Sequence, residues 1–376
     1  MRTHKIEHAP MVRLGELIEL CDERNSEGKY GIDDVRGMTI SKEIISTKAD
    51  IKDTDLSKFY IVFPNEFIYN PRTHGKKIGL GFNNSLKPIL ISWNNTAFKV
   101  KDTEKVEPTY LYMIFNREEW DREACYNSWG SSTVVFAWED LCNMKIPLPS
   151  IETQKELVAV YNGLKELAEE NEKLLEPLEE SCQAFIVDCK KKYPMKKLGD
   201  MIEEVDIKNS DNKIKAVKSV SITKEFKETG AKVNKDELSG YKLVPPRHLS
   251  YVQTTKNEKC FANALNTSNE TYVVTSVNKV IKSKDENILD IGYLHLFLRR
   301  EEFDRYAIFN SWGSAREIFA YDDLCDVQIP LPPLEIQQKI VDLYNCYEEC
   351  KRISTTAREK IKNLCPALVQ KAAHSE

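Results

Sequence analysis

Two segments of the sequence concentrate side chains that could bind anions or read a hydrogen-bonding surface. Residues 69–77 read Tyr-Asn-Pro-Arg-Thr-His-Gly-Lys-Lys, and residues 251–259 read Tyr-Val-Gln-Thr-Thr-Lys-Asn-Glu-Lys. In the major groove of DNA, arginine pairs with guanine, and glutamine or asparagine pairs with adenine. The alternative is that both segments are solvated loops. The candidate DNA-binding residues are Arg72, Thr73, His74, Lys76 and Lys77 in the first segment and Gln253, Thr254, Thr255, Lys256 and Asn257 in the second.

The charge distribution is uneven along the chain, although the net charge of −5 is unlike that of a typical DNA-binding protein. Residues 71–105 hold seven lysine or arginine residues against two acidic ones, and residues 207–259 hold twelve against six. Residues 152–188 hold ten acidic and three basic residues. Because phosphate binding depends on local basic surface, the two basic stretches remain compatible with nucleic-acid contact.

The motifs of catalysis and cofactor binding do not occur in the sequence. There is no phosphate-binding GxxxxGK[ST] loop and no Asn-Pro-Pro-Tyr-like methyltransferase motif, and Gly79-Leu80-Gly81 alone is too weak a cofactor signal. The ten cysteines and six histidines show no zinc-ligand spacing. No stretch approaches the ~20 apolar residues of a membrane span. We therefore expect a soluble cytoplasmic protein with reduced cysteines, without catalysis, a metal site or a cofactor of its own.

A long internal repeat organises the chain. The pentapeptide Asn-Ser-Trp-Gly-Ser at residues 127–131 recurs 183 residues later at 310–314. Residues 117–122, 140–142 and 146–149 recur at the same spacing, and Leu14-Gly15 recurs as Leu198-Gly199. Matches in the same order over this length indicate a tandem duplication. The shared loop is either structural or positions a phosphate. Its candidate DNA-binding residues, with two that follow it, are Ser131, Ser132, Ser314 and Arg316.

Each half has the same order of predicted elements. Short β-branched and aromatic runs separated by turn residues predict strands, and a helical stretch, a Pro-bounded Ile-Pro-Leu-Pro strand and a long helix follow. We predict an α+β fold of two mixed α/β domains, joined by two long antiparallel coiled-coil-like helices in a pseudo-two-fold repeat. The predicted boundaries are 1–149 and 193–332 for the two domains and 150–192 and 333–376 for the two helices.

The two long helices carry apolar residues at alternating spacings of three and four, which is typical of a coiled-coil seam. The first series runs from Leu157 through Val160, Leu164 and Leu167 to Phe185, and the second runs from Ile340 to Leu368. Simple amphipathic packing on a domain is the alternative. Pro177 and Pro366 are expected to kink the helices. The seam residues predicted to bind partners are Leu157, Leu164, Asn171, Leu178, Ile340, Tyr347, Ser354 and Ile361.

The segments that precede the two helices resemble a known signature. Residues 329–337 read Ile-Pro-Leu-Pro-Pro-Leu-Glu-Ile-Gln, and residues 146–154 read Ile-Pro-Leu-Pro-Ser-Ile-Glu-Thr-Gln. This pattern resembles the one that closes each target-recognition domain in the specificity subunits of type I restriction–modification enzymes. The Trp-Gly-Ser loop is similar to the Gly-Ser/Thr element of that family. Ser150 departs from the usual second proline. The resemblance extends from Leu14 to about Leu368.

The resemblance implies a non-catalytic subunit that binds double-stranded DNA. It also implies two modification subunits, which methylate adenine with S-adenosylmethionine, and restriction subunits that use ATP and Mg²⁺; those cofactors belong to the partners. A helix of ~30 residues spans about 45 Å, enough to hold two reading heads one DNA turn apart. Because the segments around Arg72 and Thr255 differ, we expect an asymmetric bipartite target. The alternatives are a recognition module related to type IIG nuclease–methyltransferases and a helical scaffold that binds no DNA.

Overall fold

The structure, a computed structural model, describes residues 9–47, 50–72, 77–130, 134–230, 232–254, 260–313 and 317–372. The chain divides into two compact units. Unit 1 comprises Met1–Glu170 with Ile353–Glu376, and unit 2 comprises Asn171–Arg352. The order of helices and strands in unit 1 is repeated in unit 2. The predicted α+β class and the internal repeat are thus confirmed.

The first half of the chain runs from a short strand to a long helix. Its elements are β1 (Met11–Arg13), α1 (Leu14–Leu17), β2 (Ile18–Cys21), β3 (Arg36–Met38), β4 (Ile44–Ser46), β5 (Tyr60–Val62), β6 (Phe67–Tyr69), β7 (Leu80–Phe82), β8 (Ile89–Ile91), β9 (Thr96–Val100), α2 (Pro108–Phe115), α3 (Glu118–Tyr126), α4 (Trp138–Asn143), β10 (Lys145–Pro147) and α5 (Ile151–Lys192).

The second half repeats this order, with a 3-10 helix at Leu198–Asp200 in place of α1. Its elements are β11 (Met195–Lys197), β12 (Ile202–Glu204), β13 (Lys218–Val220), β14 (Phe226–Glu228), β15 (Lys242–Val244), β16 (Leu249–Val252), β17 (Asn263–Leu265), β18 (Tyr272–Val274), β19 (Asn278–Ser283), α6 (Ile291–Arg299), α7 (Glu301–Phe309), α8 (Tyr321–Asp326), β20 (Gln328–Pro330) and α9 (Leu334–Ala372).

A four-stranded antiparallel sheet forms the centre of each unit. Its strand order is β2-β9-β6-β7 in unit 1 and β12-β19-β16-β17 in unit 2. In unit 1 Phe67 lies between Phe82 and Phe98 in the register of the sheet, and Phe115 of α2 packs against its ring edge-on. Aromatic residues bury large apolar areas, so this cluster fixes α2 and α3 against the sheet.

The repeated Leu-Gly and Asp-Leu-Cys motifs are the two sides of one contact. A Cβ atom added to Gly15 would lie 2.9 Å from Cβ of Cys142, and one added to Gly199 would lie 2.8 Å from Cβ of Cys325. Only glycine fits such a close approach. The contact places β1 beside the Ile-Pro-Leu-Pro strand, and Val12 pairs with Ile146 in the β1–β10 ladder. The corresponding strands β11 and β20 pair in unit 2.

The glutamine that ends each signature fastens its long helix to the sheet domain. In unit 2 the buried Gln337 side chain donates to the carbonyls of Ile288 (2.9 Å) and Pro332 (2.8 Å) and accepts from the amide of Asp290 (2.8 Å). Gln154 makes the equivalent three hydrogen bonds in unit 1. The signature is therefore a structural clasp between a domain and a helix.

Replacing Gln337 with alanine is expected to lower the free energy of unfolding by about 3 kcal/mol. The variant leaves one amide and two carbonyls without their partner, and each unsatisfied buried polar group costs about 1–3 kcal/mol. Urea unfolding of the full chain measures the loss. The neighbouring Gln338 is exposed, so Gln338→Ala is the matched control and should change stability by less than about 0.5 kcal/mol. Equal losses for the two variants would contradict the clasp.

Opposite ends of the two long helices meet within each unit. In unit 1, Leu157 near the start of α5 shares a buried cluster with Cys365 and Val369 near the end of α9. In unit 2, Ile186 near the end of α5 shares a cluster with Ile340 near the start of α9. The helix segments in each unit therefore run antiparallel, as predicted.

The buried row of α5 differs from the predicted seam at four of the predicted positions. Leu157 is buried and Leu164, Asn171, Leu178 and Ser181 are half-buried, as a seam requires, but Val160, Leu167, Leu174 and Phe185 are exposed. Burial falls one residue later, on Ala168, Cys182 and Ile186. From Leu164 the buried row therefore steps by four to Ala168 and then by three to Asn171, and it includes the small side chains of Ala168 and Cys182.

The buried row of α9 follows the prediction more closely. Ile340 and Ser354 are buried, and Tyr347 and Ile361 are half-buried. Near the end of the helix the row shifts by one residue, because Leu364 is exposed and Cys365 is buried. Both helices continue through their internal prolines, Pro177 and Pro366. Among the described residues, no helix combines the length and apolar character that crossing a membrane requires.

Candidate nucleic-acid interface

The described residues include four of the fourteen candidate DNA-binding residues. Arg72 and Lys77 are exposed, and Gln253 and Thr254 are half-buried. The following candidates lie outside the described residues: Thr73, His74, Lys76, Ser131, Ser132, Thr255, Lys256, Asn257, Ser314 and Arg316.

In unit 1 the first candidate segment pairs with the shared Trp-Gly-Ser loop. Val135 forms isolated β-bridges with both Trp129 and Arg72. Trp129 and Val135 exchange backbone hydrogen bonds of 3.0 and 2.9 Å, and the Phe136 amide donates to the Pro71 carbonyl at 2.8 Å. Two segments sixty residues apart in sequence thus become neighbours. We call Trp129, Val135 and Arg72 the unit 1 ladder.

Unit 2 contains the same arrangement. Ile318 bridges both Trp312 and Thr254. Trp312 and Ile318 exchange backbone hydrogen bonds of 3.1 and 2.9 Å, and the Phe319 amide donates to the Gln253 carbonyl at 2.8 Å. Trp312, Ile318 and Thr254 form the unit 2 ladder. Each ladder joins a part of the sequence that the halves share to a part in which they differ.

The side chains of each ladder project from its outer face. Directly paired residues on neighbouring strands point to the same side, and successive residues point to opposite sides. Phe136 and Phe319, which follow Val135 and Ile318, are fully buried. Trp129 and Trp312 are 69 % and 74 % exposed. The inner face therefore anchors the ladder in the core, and the outer face meets solvent.

The shared loop contains both structural and exposed residues. In unit 1 the side chain of Asn127 donates to the Glu123 carbonyl at 2.9 Å, and Ser128 Oγ donates to the Ala124 carbonyl at 2.7 Å. Gly130 has a φ of 144°, which disfavours other residues. Asn310, Ser311 and Gly313 repeat these features. The structural interpretation suits these positions, whereas the tryptophan between them is largely exposed in both units.

A buried ion pair positions the helix that precedes each shared loop. Lys42 Nζ lies 2.8 and 2.7 Å from the two carboxylate oxygens of Asp121 on α3, with side chains only 3 % and 6 % exposed. Lys42 sits in the β3–β4 turn at a φ of 66°. Burial lowers the pKa of the Lys42 ammonium, and its hydrogen bond to Asp121 opposes that shift. The pair thus ties a turn to the first helical turn of α3.

The equivalent pair in unit 2 also reaches the second candidate segment. Lys224 Nζ lies 2.7 Å from Asp304 Oδ1, which in addition accepts a hydrogen bond of 2.8 Å from the Phe261 amide, two residues beyond that segment. The sequence interpretation missed both pairs. A short repeat at a spacing of 182 could have revealed the two lysines: residues 40–43 read Ile-Ser-Lys-Glu, and residues 222–225 read Ile-Thr-Lys-Glu.

Among the residues that the structure describes, no group of three or more His, Cys, Asp or Glu side chains could hold a metal ion. What the two ladders offer is an exposed indole, a β-branched side chain and a third residue that differs between the units. This arrangement suits binding to an extended surface.

A model of one protein family matches both halves of the chain. The family is described as the type I restriction modification DNA specificity domain, and the match covers residues 8–180 and 190–363. The chain belongs to this family. The resemblance seen in the Ile-Pro-Leu-Pro signatures is therefore confirmed, and each copy of the specificity domain contains one ladder.

Solved structures of specificity subunits resemble the whole chain. The type I S subunit from M. genitalium is 10 % identical with a TM-score of 0.60, and the match covers 99 % of this chain and 98 % of that one. The HsdS subunit from Thermoanaerobacter tengcongensis is 17 % identical with a TM-score of 0.42, covering 99 % and 98 %. The similarity to the M. genitalium subunit supports the fold of this chain. A comparison with curated proteins found no match.

Proposed function

We propose that the chain is the DNA-recognition subunit of a type I restriction–modification complex and that each unit binds one half of a bipartite duplex target through its ladder. The observation that carries this proposal is the pairing of a shared and a divergent segment on one exposed face in each unit. Shared residues cannot distinguish the two half-sites, whereas the divergent residues can. The proposed interface thus separates common contacts from base reading.

The third ladder position supports an asymmetric target. Arg72 presents a guanidinium that can donate two hydrogen bonds to guanine, and Thr254 presents a hydroxyl and a methyl group. Lys77, the exposed last residue of the first segment, suits a phosphate contact. The two units therefore offer different chemistry at equivalent positions, and we infer that they read different bases.

We infer that the exposed face of α5 binds the modification subunits. Val160, Leu167 and Leu174 are exposed, and their spacing of seven residues places them in one row on the helix. An apolar row of this kind fits an amphipathic helix of a partner. In this proposal the chain is non-catalytic and cytoplasmic, and S-adenosylmethionine, ATP and Mg²⁺ are bound by modification and restriction subunits.

Arg72→Ala tests base reading by unit 1. The target is first obtained by sequencing methylated adenines in the source genome. We expect the variant complex to bind the intact target about 10- to 100-fold more weakly, because a bidentate arginine–guanine contact is worth about 1–3 kcal/mol. Targets already altered in the half-site read by unit 1 should show little further loss.

The exposed Arg122 of α3, whose side chain is 73 % exposed, provides the matched control, and Arg122→Ala should bind as the wild type does. Fluorescence anisotropy with the intact target and with each half-site altered separates the cases. A loss of the same size whichever half-site is altered would contradict the assignment of Arg72.

A further inference from the structure

Each unit exposes two aromatic side chains at equivalent positions. Tyr126 at the end of α3 and Phe309 at the end of α7 are 80 % and 84 % exposed, and the ladder residues Trp129 and Trp312 follow three residues later. Large aromatic side chains favour burial and are enriched in interfaces. Their exposure in both copies of a duplicated domain indicates a surface that another molecule covers.

The ladder fixes the position of each indole. Trp129 exchanges two backbone hydrogen bonds with Val135, and the glycine that follows it has a φ that favours glycine. Arg72 lies on the other side of Val135. With neighbouring strands about 4.8 Å apart, the Trp129 and Arg72 backbones lie about 10 Å apart, close to the ~12 Å width of the major groove. The indole and the proposed base reader therefore face the same ligand.

The chemistry of the ladder favours duplex DNA as that ligand. Trp129 and Arg72 both pair with Val135 and lie on the same face of the ladder, so this surface combines an aromatic and a cationic side chain. Every base has a π-face, so stacking on an aromatic side chain tolerates any sequence. A residue that both units share must accept two different half-sites, and stacking is an interaction that does so.

Given the proposed function, on which this inference rests, we propose that Trp129 and Trp312 are sequence-tolerant apolar wedges that enter a base step in their half-sites. Apolar side chains that enter base steps from the minor groove partly unstack them and kink the duplex by about 20–90°. We expect an indole that enters from the major-groove side, next to Arg72, to unstack its step in the same way. Each wedge fixes the depth and register of its unit on the duplex, and the divergent residue of the same ladder then reads the neighbouring base edge.

The test uses the full chain assembled with its modification subunit and a duplex target. Trp129→Ala and Trp312→Ala are each expected to weaken binding about ten-fold or more, and the double variant should lose roughly the product. Trp129→Phe should remain within about three-fold of the wild type, because phenylalanine retains an aromatic face. Trp93→Ala is the matched control, since Trp93 belongs to the same unit and is 60 % exposed outside the ladder.

Two further measurements distinguish a wedge from a base reader or a structural residue. Altering a base in the half-site should weaken binding by the same factor in Trp129→Ala as in the wild type. In Arg72→Ala the same alteration should cause little further loss of affinity. Energy transfer between dyes at the two ends of the duplex should rise when the wild type binds, because the duplex bends. This rise should be smaller for the alanine variants at saturating protein concentration.

The outcomes separate this inference from the proposed function. A wild-type complex that binds no duplex would overturn both. A complex that binds normally and whose alanine variants bind and bend DNA equally well would overturn the wedge alone. Loss of the modification subunit from Trp129→Ala during co-purification would show that the indole faces protein, and this result too would overturn the inference.

Discussion

Lys42→Met is expected to lower the free energy of unfolding by about 3–5 kcal/mol. The substitution leaves the Asp121 carboxylate buried without its cation, and breaking a buried ion pair from one side costs that much because the remaining charge is uncompensated. The two side chains are almost wholly buried. Lys224→Met should act in the same way on Asp304 in unit 2. Urea unfolding of the full chain provides the measurement.

Two control variants test whether the loss of stability arises from the buried charge. Lys99 forms an exposed ion pair with Glu19, with an N–O distance of 3.5 Å, and Lys99→Met should cost less than about 1 kcal/mol. Replacing both partners, as in Lys42→Met with Asp121→Leu, should recover much of the lost stability, since apolar residues tolerate this environment. If Lys42→Met cost no more than Lys99→Met, the buried pair would not hold the turn to α3.

The sequence predicted the features that depend on local patterns or on the repeat. The long helices follow from apolar periodicity, and the duplication follows from motifs such as residues 127–131 and 310–314. Periodicity does not reveal which distant backbones pair. Val135 joins Trp129 to Arg72 through isolated bridges, which leave no repeating pattern, so the two candidate segments were found separately and their proximity was not predicted.

Charged residues pose the opposite difficulty. Lysine and aspartate are rarely buried, so their residue types gave no indication that Lys42 and Asp121 form a buried pair. Their role depends on a partner 79 positions away in the sequence. The repeated Lys-Glu pair at residues 42–43 and 224–225 was the available indication, because a duplicated charged residue in otherwise divergent segments needs a structural reason.

The sequence predicted that α5 has a buried row with coiled-coil spacing, but it did not predict all of the residues in that row. Spacings of three then four and of four then three share every second residue, so Leu157, Leu164, Asn171 and Leu178 fit both. The row beginning at Val160 is the more apolar of the two possible continuations, but the buried row is the one that contains Ala168 and Cys182. Hydrophobicity alone therefore did not identify the buried side of the helix.

The row left exposed supports the second prediction with a large effect. Val160→Glu combined with Leu174→Glu should reduce capture of the modification subunit more than about a hundredfold, since burying each aliphatic side chain contributes about 1.5–3 kcal/mol. Both residues are exposed on α5, so the free chain should keep its unfolding free energy. Co-purification with a tagged modification subunit, together with urea unfolding of the chain alone, measures the two quantities.

Substitutions at exposed positions of α5 distinguish loss of partner binding from loss of folding. Asn162→Glu adds one negative charge, as each of the two substitutions does, at an exposed site about 200° around the helix from Val160, so it should leave capture unchanged. Leu164→Asp or Tyr347→Asp would place a charge at a half-buried position of the seam, and loss of capture there would also reflect unfolding. If the Val160 and Leu174 variant captured the modification subunit as well as Asn162→Glu does, the docking surface would lie elsewhere on the chain.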